Sequence, residues 1–279
     1  MEITKYPDGS SYVTTYREKS ESIFKINSYK DLWYLNQFVD SYNFNYRESP
    51  TIIIPNLIDS QADRRFAPDQ SSGLKLVCNF LNDMEANFKI FHPHNPEVVE
   101  ALIDNVEIID NSNFIKEVIW KLNNDNNDSI AAINKQKGNL ILMSSDAGGF
   151  KPLMKLCDKL KWEGETYSAS KARDPKTGKL TQLIDREDFG GKDILIVDDI
   201  CVYGGTFKGL ATMLKERNCG KLYLAVSHMT IQNLGEDPVT NYFDKVFTTN
   251  SKFNSYNAGY SGNNMAPVQP KNLEIIKLF

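Results

Sequence analysis

Two carboxylates, Asp198 and Asp199, follow directly on the apolar run Ile194-Leu195-Ile196-Val197, and after four intervening residues come Gly204, Gly205 and Thr206. Acids at the C-terminal end of a strand lie at the crevice where open α/β sheets bind ligands. A pair of them there suits the vicinal hydroxyls of a ribose. The glycines let backbone approach a phosphate, and the N-terminus of a following helix supplies amides and positive dipole. An ordinary strand–helix turn with surface acids is the plainer reading, although uncharged residues would serve a plain turn equally well.

A second acid–glycine turn, Ser145-Asp146-Ala147-Gly148-Gly149, follows another apolar strand. Three further segments carry groups suited to phosphate or metal chemistry. Asp63-Arg64-Arg65 offers guanidinium forks matched to phosphate oxygens. His92-Pro93-His94 holds two of the three histidines, and Lys171-Ala172-Arg173 opens a charged stretch. Tyr6-Pro7-Asp8-Gly9 is a turn sequence beside an aromatic ring. Each alone also reads as a turn, a solvated loop or a satisfied histidine.

The elements that must position these groups alternate between strand and helix, the signature of a parallel α/β sheet. Short strands are expected at 11–16 and 22–26. A helix over 29–42 follows, with Ser28 and Asp31 as its capping box. Strand 51–54 leads through a polar loop to a helix with Leu74, Val77, Cys78 and Leu81 at helical spacing. Strand 87–91 precedes a helix started by Asn95-Pro96-Glu97. The polar run 123–128 marks a surface excursion near a domain boundary. Beyond it come strand 139–144, helix 150–160, strand 165–170, a long charged loop over 171–190, strand 193–197, helix 206–217 and a strand-like terminus at 273–279.

Composition bounds the function. The 279 residues are 41% hydrophobic and 24% charged, ordinary values for a globular chain, with a net charge of −4. That balance argues against a nucleic-acid partner, and no apolar run approaches the ~20 residues of a membrane span. The four scattered cysteines, without metal-type spacing, fit a reducing cytoplasm.

Taken together, in order and at their spacing, these segments resemble the ribose-phosphate pyrophosphokinases, the PRPP synthetases, over residues 6 to 206. The resemblance implies an α/β fold of two phosphoribosyltransferase-like domains, each a mainly parallel sheet flanked by helices, expected at 1–135 and 136–279. It implies transfer of diphosphate from ATP, as co-substrate with Mg²⁺, to the C1 hydroxyl of a 5-phosphorylated ribose. By that likeness Tyr6, Asp8, Gln61, Asp63 and Arg64 serve ATP, with the Pro-Asp-Gly loop reaching a neighbouring subunit. His94 and Asp146 match metal ligands, and Gly148 and Gly149 match the pyrophosphate turn. Asp198, Asp199, Gly204, Gly205 and Thr206 match the ribose-phosphate loop, and Lys171 and Arg173 a catalytic flap.

Departures from the pattern sharpen the expectation. Ser10 stands for a Glu, Gln61-Ala62 for Arg-Gln, His92 for an Asp, and Val202-Tyr203 for an Asp-Thr pair beside the phosphate. Losing a charge and a hydroxyl while gaining a flat ring suits a phosphodiester with a nucleoside attached. The expected acceptor is therefore ADP-ribose, as in similar phage-encoded synthetases that rebuild NAD⁺ in the host cytoplasm, with ribose 5-phosphate as the alternative and Tyr203 near the second adenosine. The chain begins at the Pro-Asp-Gly loop and ends without the family's last helix, so a homo-oligomer smaller than the family's hexamer is expected. A simple phosphoribosyltransferase would share only the Asp198–Thr206 loop. A catalytically silent homologue is the non-enzyme alternative, and a DNA-binding repressor would need a basic surface.

Overall fold

The computed structural model describes residues 1–16, 20–65, 67–122, 139–173, 180–230, 237–252 and 270–279. The chain forms two compact units, Met1–Asp110 with Phe279, and Asn111–Leu278.

In the first unit, β1 (Glu2–Lys5) and β2 (Ser11–Thr14) form an antiparallel hairpin around the Pro7-Asp8-Gly9 turn. β3 (Glu21–Ile23) leads to α1 (Tyr29–Tyr46). The Asp31 carboxylate accepts from the Asn27 amide at 2.9 Å and the Ser28 amide at 2.8 Å, which fixes where α1 starts. β4 (Thr51–Ile54), α2 (Gly73–Asn82), β5 (Asn87–Phe91), α3 (Pro96–Leu102) and β6 (Val106–Ile109) complete a four-stranded sheet ordered β3-β4-β5-β6. All its pairings are parallel. Leu74, Val77, Cys78 and Leu81 of α2 are buried, as their spacing predicts, against Ile52, Ile54 and Ile90. Each such aliphatic side chain removed from water contributes roughly 1.5–3 kcal/mol.

The second unit opens with α4 (Ser112–Leu122), then β7 (Leu140–Ser144), α5 (Phe150–Leu160), β8 (Thr166–Ser168), β9 (Ser170–Arg173), β10 (Leu180–Leu183) and β11 (Asp193–Cys201). It continues through α6 (Gly205–Glu216), β12 (Leu222–Met229), β13 (Lys245–Thr249) and β14 (Leu273–Ile276). Six strands form a parallel sheet ordered β14-β13-β12-β11-β7-β8, with β9 and β10 a separate antiparallel pair. Alternate strand residues face opposite sides. Ile141, Met143, Ile194 and Ile196 meet Phe207, Leu210 and Leu214 of α6. Leu140, Leu142 and Leu195 meet Ile115 and Val118 of α4 and Leu153 and Leu156 of α5. Among the described residues no helix is long and apolar enough to cross a membrane.

The structure departs from the sequence expectations in several places. The units divide after Asp110 rather than near 135, because α4 buries Phe114, Ile115, Val118 and Ile119 in the core of the second unit. β1 precedes the expected first strand. The stretch expected as a loop over 171–190 contains β9 and β10 paired with each other. The polar run 123–128 and the Pro-Lys-Thr-Gly turn at 175–178 lie outside the described residues. β11 runs four residues beyond the expected strand end, so Asp198 and Asp199 stand inside a strand rather than in the loop after it.

Candidate active site

In the six-stranded sheet the chain leaves β7 towards β8 at one edge, then returns to place β11 on the other side of β7. The reversal between β7 and β11 is a topological switch point, and the loops leaving the C-terminal ends of two such strands diverge to open a crevice. Both acid–glycine turns leave there. β7 pairs with β11 only as far as Ser144 opposite Val197, whereas β11 continues beside β12 to Cys201 opposite Met229. The segment from Asp198 onward thus borders the crevice on the side where β7 has ended.

The two turns are tied together. The buried Ser145 hydroxyl donates to Asp198 Oδ2 at 2.5 Å, and Asp198 Oδ1 accepts from the Asp199 amide at 2.9 Å. Burial, and then the neighbouring Asp199 carboxylate, push the Asp198 carboxyl up to about 7, with the Ser145 bond opposing the rise. A carboxylate pair held this close is primed for a cation or for sugar hydroxyls that share its charge.

Asp146 caps the short 3₁₀ turn Ala147–Gly149, accepting from the Gly149 amide at 3.1 Å. A side chain at residue 148 would place its Cβ 3.3 Å from Asp146 Oδ1, and one at 149 would sit 3.3 Å from Ser144 Cβ. The glycines therefore let the turn fold closely over its own acid. Ser144 and Ser168 hydroxyls both donate to the Asp146 carbonyl, at 2.9 and 3.2 Å, which fixes the turn to β8.

The other turn is fixed from below. Gly204 has φ +74°, and a Cβ there would lie 3.0 Å from Val239 Cβ, so only glycine fits without strain. The Thr230 hydroxyl donates to the Val202 carbonyl at 2.7 Å, and the Thr230 amide donates to the Cys201 carbonyl at 3.0 Å. Gly204 brings no side chain to cap α6, so an anion at the Gly205-Thr206 end can take that place. Tyr203 stands 80% exposed immediately before it.

The remaining residues singled out from sequence divide between the units. Lys171 and Arg173 lie on β9, with side-chain placement outside the described residues. In the first unit, the Gln61–Arg64 loop follows β4 and His94 follows β5, and these neighbouring strand ends bring the two loops together. The His94 amide donates to the Ser60 hydroxyl and the Asn95 amide group to Asp63 Oδ2, both at 3.3 Å. His94 and Arg64 are exposed. Asp8 accepts from the Ser10 amide at 2.9 Å and hydroxyl at 2.7 Å, and these bonds lower its pKa. Tyr6, half-exposed, packs against Tyr12 with ring centroids 5.9 Å apart. This hairpin is held to α1 by the Gln37 amide group, which donates to the Ser11 carbonyl at 2.7 Å.

Among the described residues no three His, Cys, Asp or Glu side chains gather as a metal cage. Scattered oxygen donors such as Asp146 and the Asp198–Asp199 pair fit Mg²⁺, which keeps several waters and needs only one or two carboxylates beside substrate phosphates. Cys78 and Cys157 offer no nucleophile: both are buried and pushed up to about 11 by desolvation. Sequence reading missed Ser145 as a partner of Asp198, and Thr230 and Val239 as supports of the second turn. A hydroxyl residue directly before Asp146 was the one available signal.

The model of the phosphoribosyl transferase domain matches residues 106–262. The ribose-phosphate pyrophosphokinase of Sulfolobus acidocaldarius is 26% identical over 262 residues, covering 90% of this chain and 84% of that protein. That of Pyrococcus furiosus is 23% identical over 255 residues, covering 90% and 85%. The crystal structure of phosphoribosylpyrophosphate synthetase from Mycobacterium smegmatis superposes with a TM-score of 0.70 at 16% identity, covering 99% of this chain and 85% of that one. The chain belongs to the phosphoribosyl transferase domain family, and the relatives it resembles over most of its length are ribose-phosphate pyrophosphokinases.

Proposed function

We propose that this enzyme transfers the β,γ-diphosphate of ATP to the anomeric hydroxyl of a 5-phosphorylated ribose, releasing AMP. The observation that carries the reading is the Ser145–Asp198 hydrogen bond, which joins a diphosphate-type turn to a ribose-phosphate-type turn at the switch point of one parallel sheet. The names of the curated relatives support the same chemistry.

In this mechanism Asp198 and Asp199 hold the ribose 2- and 3-hydroxyls. The Gly204–Thr206 turn and the start of α6 hold the 5-phosphate, and the Ala147–Gly149 turn holds the diphosphate as it is transferred. The sugar O1 forms a bond to the β-phosphorus as the bond from that phosphorus to the α–β bridging oxygen breaks. The electron pair leaves with AMP and the O1 proton passes to solvent. Such a transfer needs alignment and charge neutralisation more than covalent help. Asp146, and by family likeness His94, would hold Mg²⁺, which supplies neutralisation of the phosphate oxygens when bound. Lys171 and Arg173 are proposed to stabilise charge on the reacting phosphates. Tyr6, Asp8, Gln61, Asp63 and Arg64 are proposed to serve ATP.

The acceptor we favour is ADP-ribose, giving ADP-ribose 1-diphosphate. Val202 and Tyr203 support this, because they withhold donors from a terminal phosphate dianion and offer an exposed ring to a second nucleoside. The relatives' names favour ribose 5-phosphate as the second reading. Incubation with MgATP and each sugar separately, with product masses measured, decides between them. Turnover confined to ribose 5-phosphate removes the ADP-ribose assignment, and no AMP with either sugar removes the reaction.

A further inference from the structure

Asp59 adopts φ +60°, a left-handed backbone that a residue other than glycine holds only where its surroundings impose it. It stands directly before the Ser60–Arg64 loop, half-buried, and its carboxylate meets two segments distant in sequence. The hydroxyl of Tyr29, the first residue of α1, donates to Asp59 Oδ2 at 2.8 Å. The carboxylate also raises the pKa of that phenol, which keeps Tyr29 the donor. On the other side is Gly73, the first residue of α2, where a Cβ would stand 2.7 Å from Asp59 Oδ2 and 2.9 Å from Cγ. Any side chain at 73 would drive the carboxylate from its place. α2 carries no acid in its first turn and Ser72 makes no side-chain capping bond, so Asp59 brings negative charge to a helix end that otherwise lacks it.

The backbone continues the clamp. The Ala62 amide donates to the Asp59 carbonyl at 2.8 Å, closing a tight turn, and the Leu74 amide donates to the Ala62 carbonyl at 3.3 Å. Both ends of the turn are thereby fixed to the start of α2. We infer that Asp59 is the positioning residue of the nucleotide loop: held between Tyr29 and Gly73, it sets the course of Ser60–Arg64 and presents Gln61, Asp63 and Arg64 to ATP. The assignment to ATP rests on the proposed function of that loop; the ordering of the loop does not. A loop folded in advance loses less freedom when nucleotide binds, which favours affinity.

Two readouts test this. Trypsin cleavage after the exposed Arg64 and Arg65 reports loop order without nucleotide, and steady-state AMP release gives KM for ATP apart from kcat. Asp59→Gly removes the carboxylate while suiting the left-handed backbone, whereas Asp59→Asn tolerates that backbone and keeps an oxygen for Tyr29. Asp59→Gly should speed cleavage and raise KM for ATP, each about tenfold, with kcat held within about twofold. Tyr29→Phe should do the same by about threefold, since its bond is exposed, and Asp59→Asn should behave as wild type. Gly73→Ala should match Asp59→Gly on its own and add nothing in the Asp59→Gly background, where no carboxylate remains to be displaced. A lowered melting temperature with unaltered cleavage and KM would make Asp59 merely structural and overturn the inference. An equal effect of Gly73→Ala in both backgrounds would also overturn it. Faster cleavage with KM unaltered in these variants and in Arg64→Ala, or with no AMP released at all, leaves the positioning role standing and removes the ATP assignment. A raised KM in Arg64→Ala with wild-type behaviour of the Asp59 and Tyr29 variants removes the positioning role alone.

Discussion

The two units carry their candidate functional groups in different ways. In the second unit both turns leave neighbouring parallel strands at the point where the strand order reverses, and a buried serine links one to the carboxylates of the other. In the first unit the strand order is sequential, and His94, Gln61 and Arg64 sit on exposed loops joined to each other by two hydrogen bonds. The difference teaches where precision is built into this chain. The second unit holds a shaped cradle whose disturbance should cost turnover. The first unit offers side chains whose removal should cost mainly nucleotide affinity.

The largest expected effect comes from Lys171→Ala or Arg173→Ala. Each should lower kcat by about 10²–10³-fold in a steady-state AMP-release assay, the range for one preorganised donor to developing charge. Full turnover in both variants would remove the flap assignment. Next is Gly204→Ala, which forces a side chain into a left-handed turn against Val239. It should cost about 2 kcal/mol of stability, read by urea denaturation, together with a raised KM for the sugar. Arg64→Ala tests the contrast directly: KM for ATP should rise about tenfold with kcat little changed, the loss of one charged hydrogen bond. A fall in kcat as large as that for Lys171→Ala would erase the distinction between the two units.

The Asp198 carboxyl supplies a pH test. Its value is raised from 3.8 to about 7. Between these values the folded state holds the proton more tightly than the unfolded state, so this group's contribution to stability falls as pH rises through that window. Asp198→Asn removes the cost. The variant should be more stable than wild type at pH 8 by about 1–2 kcal/mol, a figure reduced for the partial exposure of the site, with the advantage shrinking towards pH 5. It should also lose turnover. Equal stability at both pH values would contradict the crowded-carboxylate description. Ser145→Ala should give the smallest effect. Removing a bond that lowers the Asp198 value should move the acidic limb of kcat/KM to higher pH, with little change in melting temperature.

Much of this arrangement was legible in the sequence, for local reasons. The α2 stripe and the span of α5 follow from helical period, and Asn95-Pro96 marks the start of α3 with the Asn95 side chain accepting from the Val98 amide. Both acid–glycine segments stand out because they follow directly on apolar runs of sequence. The features that escaped depend on contacts distant in sequence. α4 joins the second unit through packing of Phe114, Ile115, Val118 and Ile119, which no boundary signal announces. β12 is buried throughout, yet Ser227 and His228 interrupt its apolar run; a bond between Ser251 and the His228 ring satisfies one of them. The Ser145–Asp198 bond spans 53 residues of chain.

The two turns at the β7–β11 switch point are proposed to form one cradle for sugar and diphosphate. That proposal is tested most directly by following ATP labelled separately at the β- and γ-phosphorus, with ADP-ribose and with ribose 5-phosphate offered as acceptors. Both labels should leave the nucleotide together and appear on the sugar, with unlabelled AMP as the other product, and Asp146→Asn should abolish the transfer. Movement of the γ label alone, or retention of both labels on the nucleotide with either sugar, would contradict it.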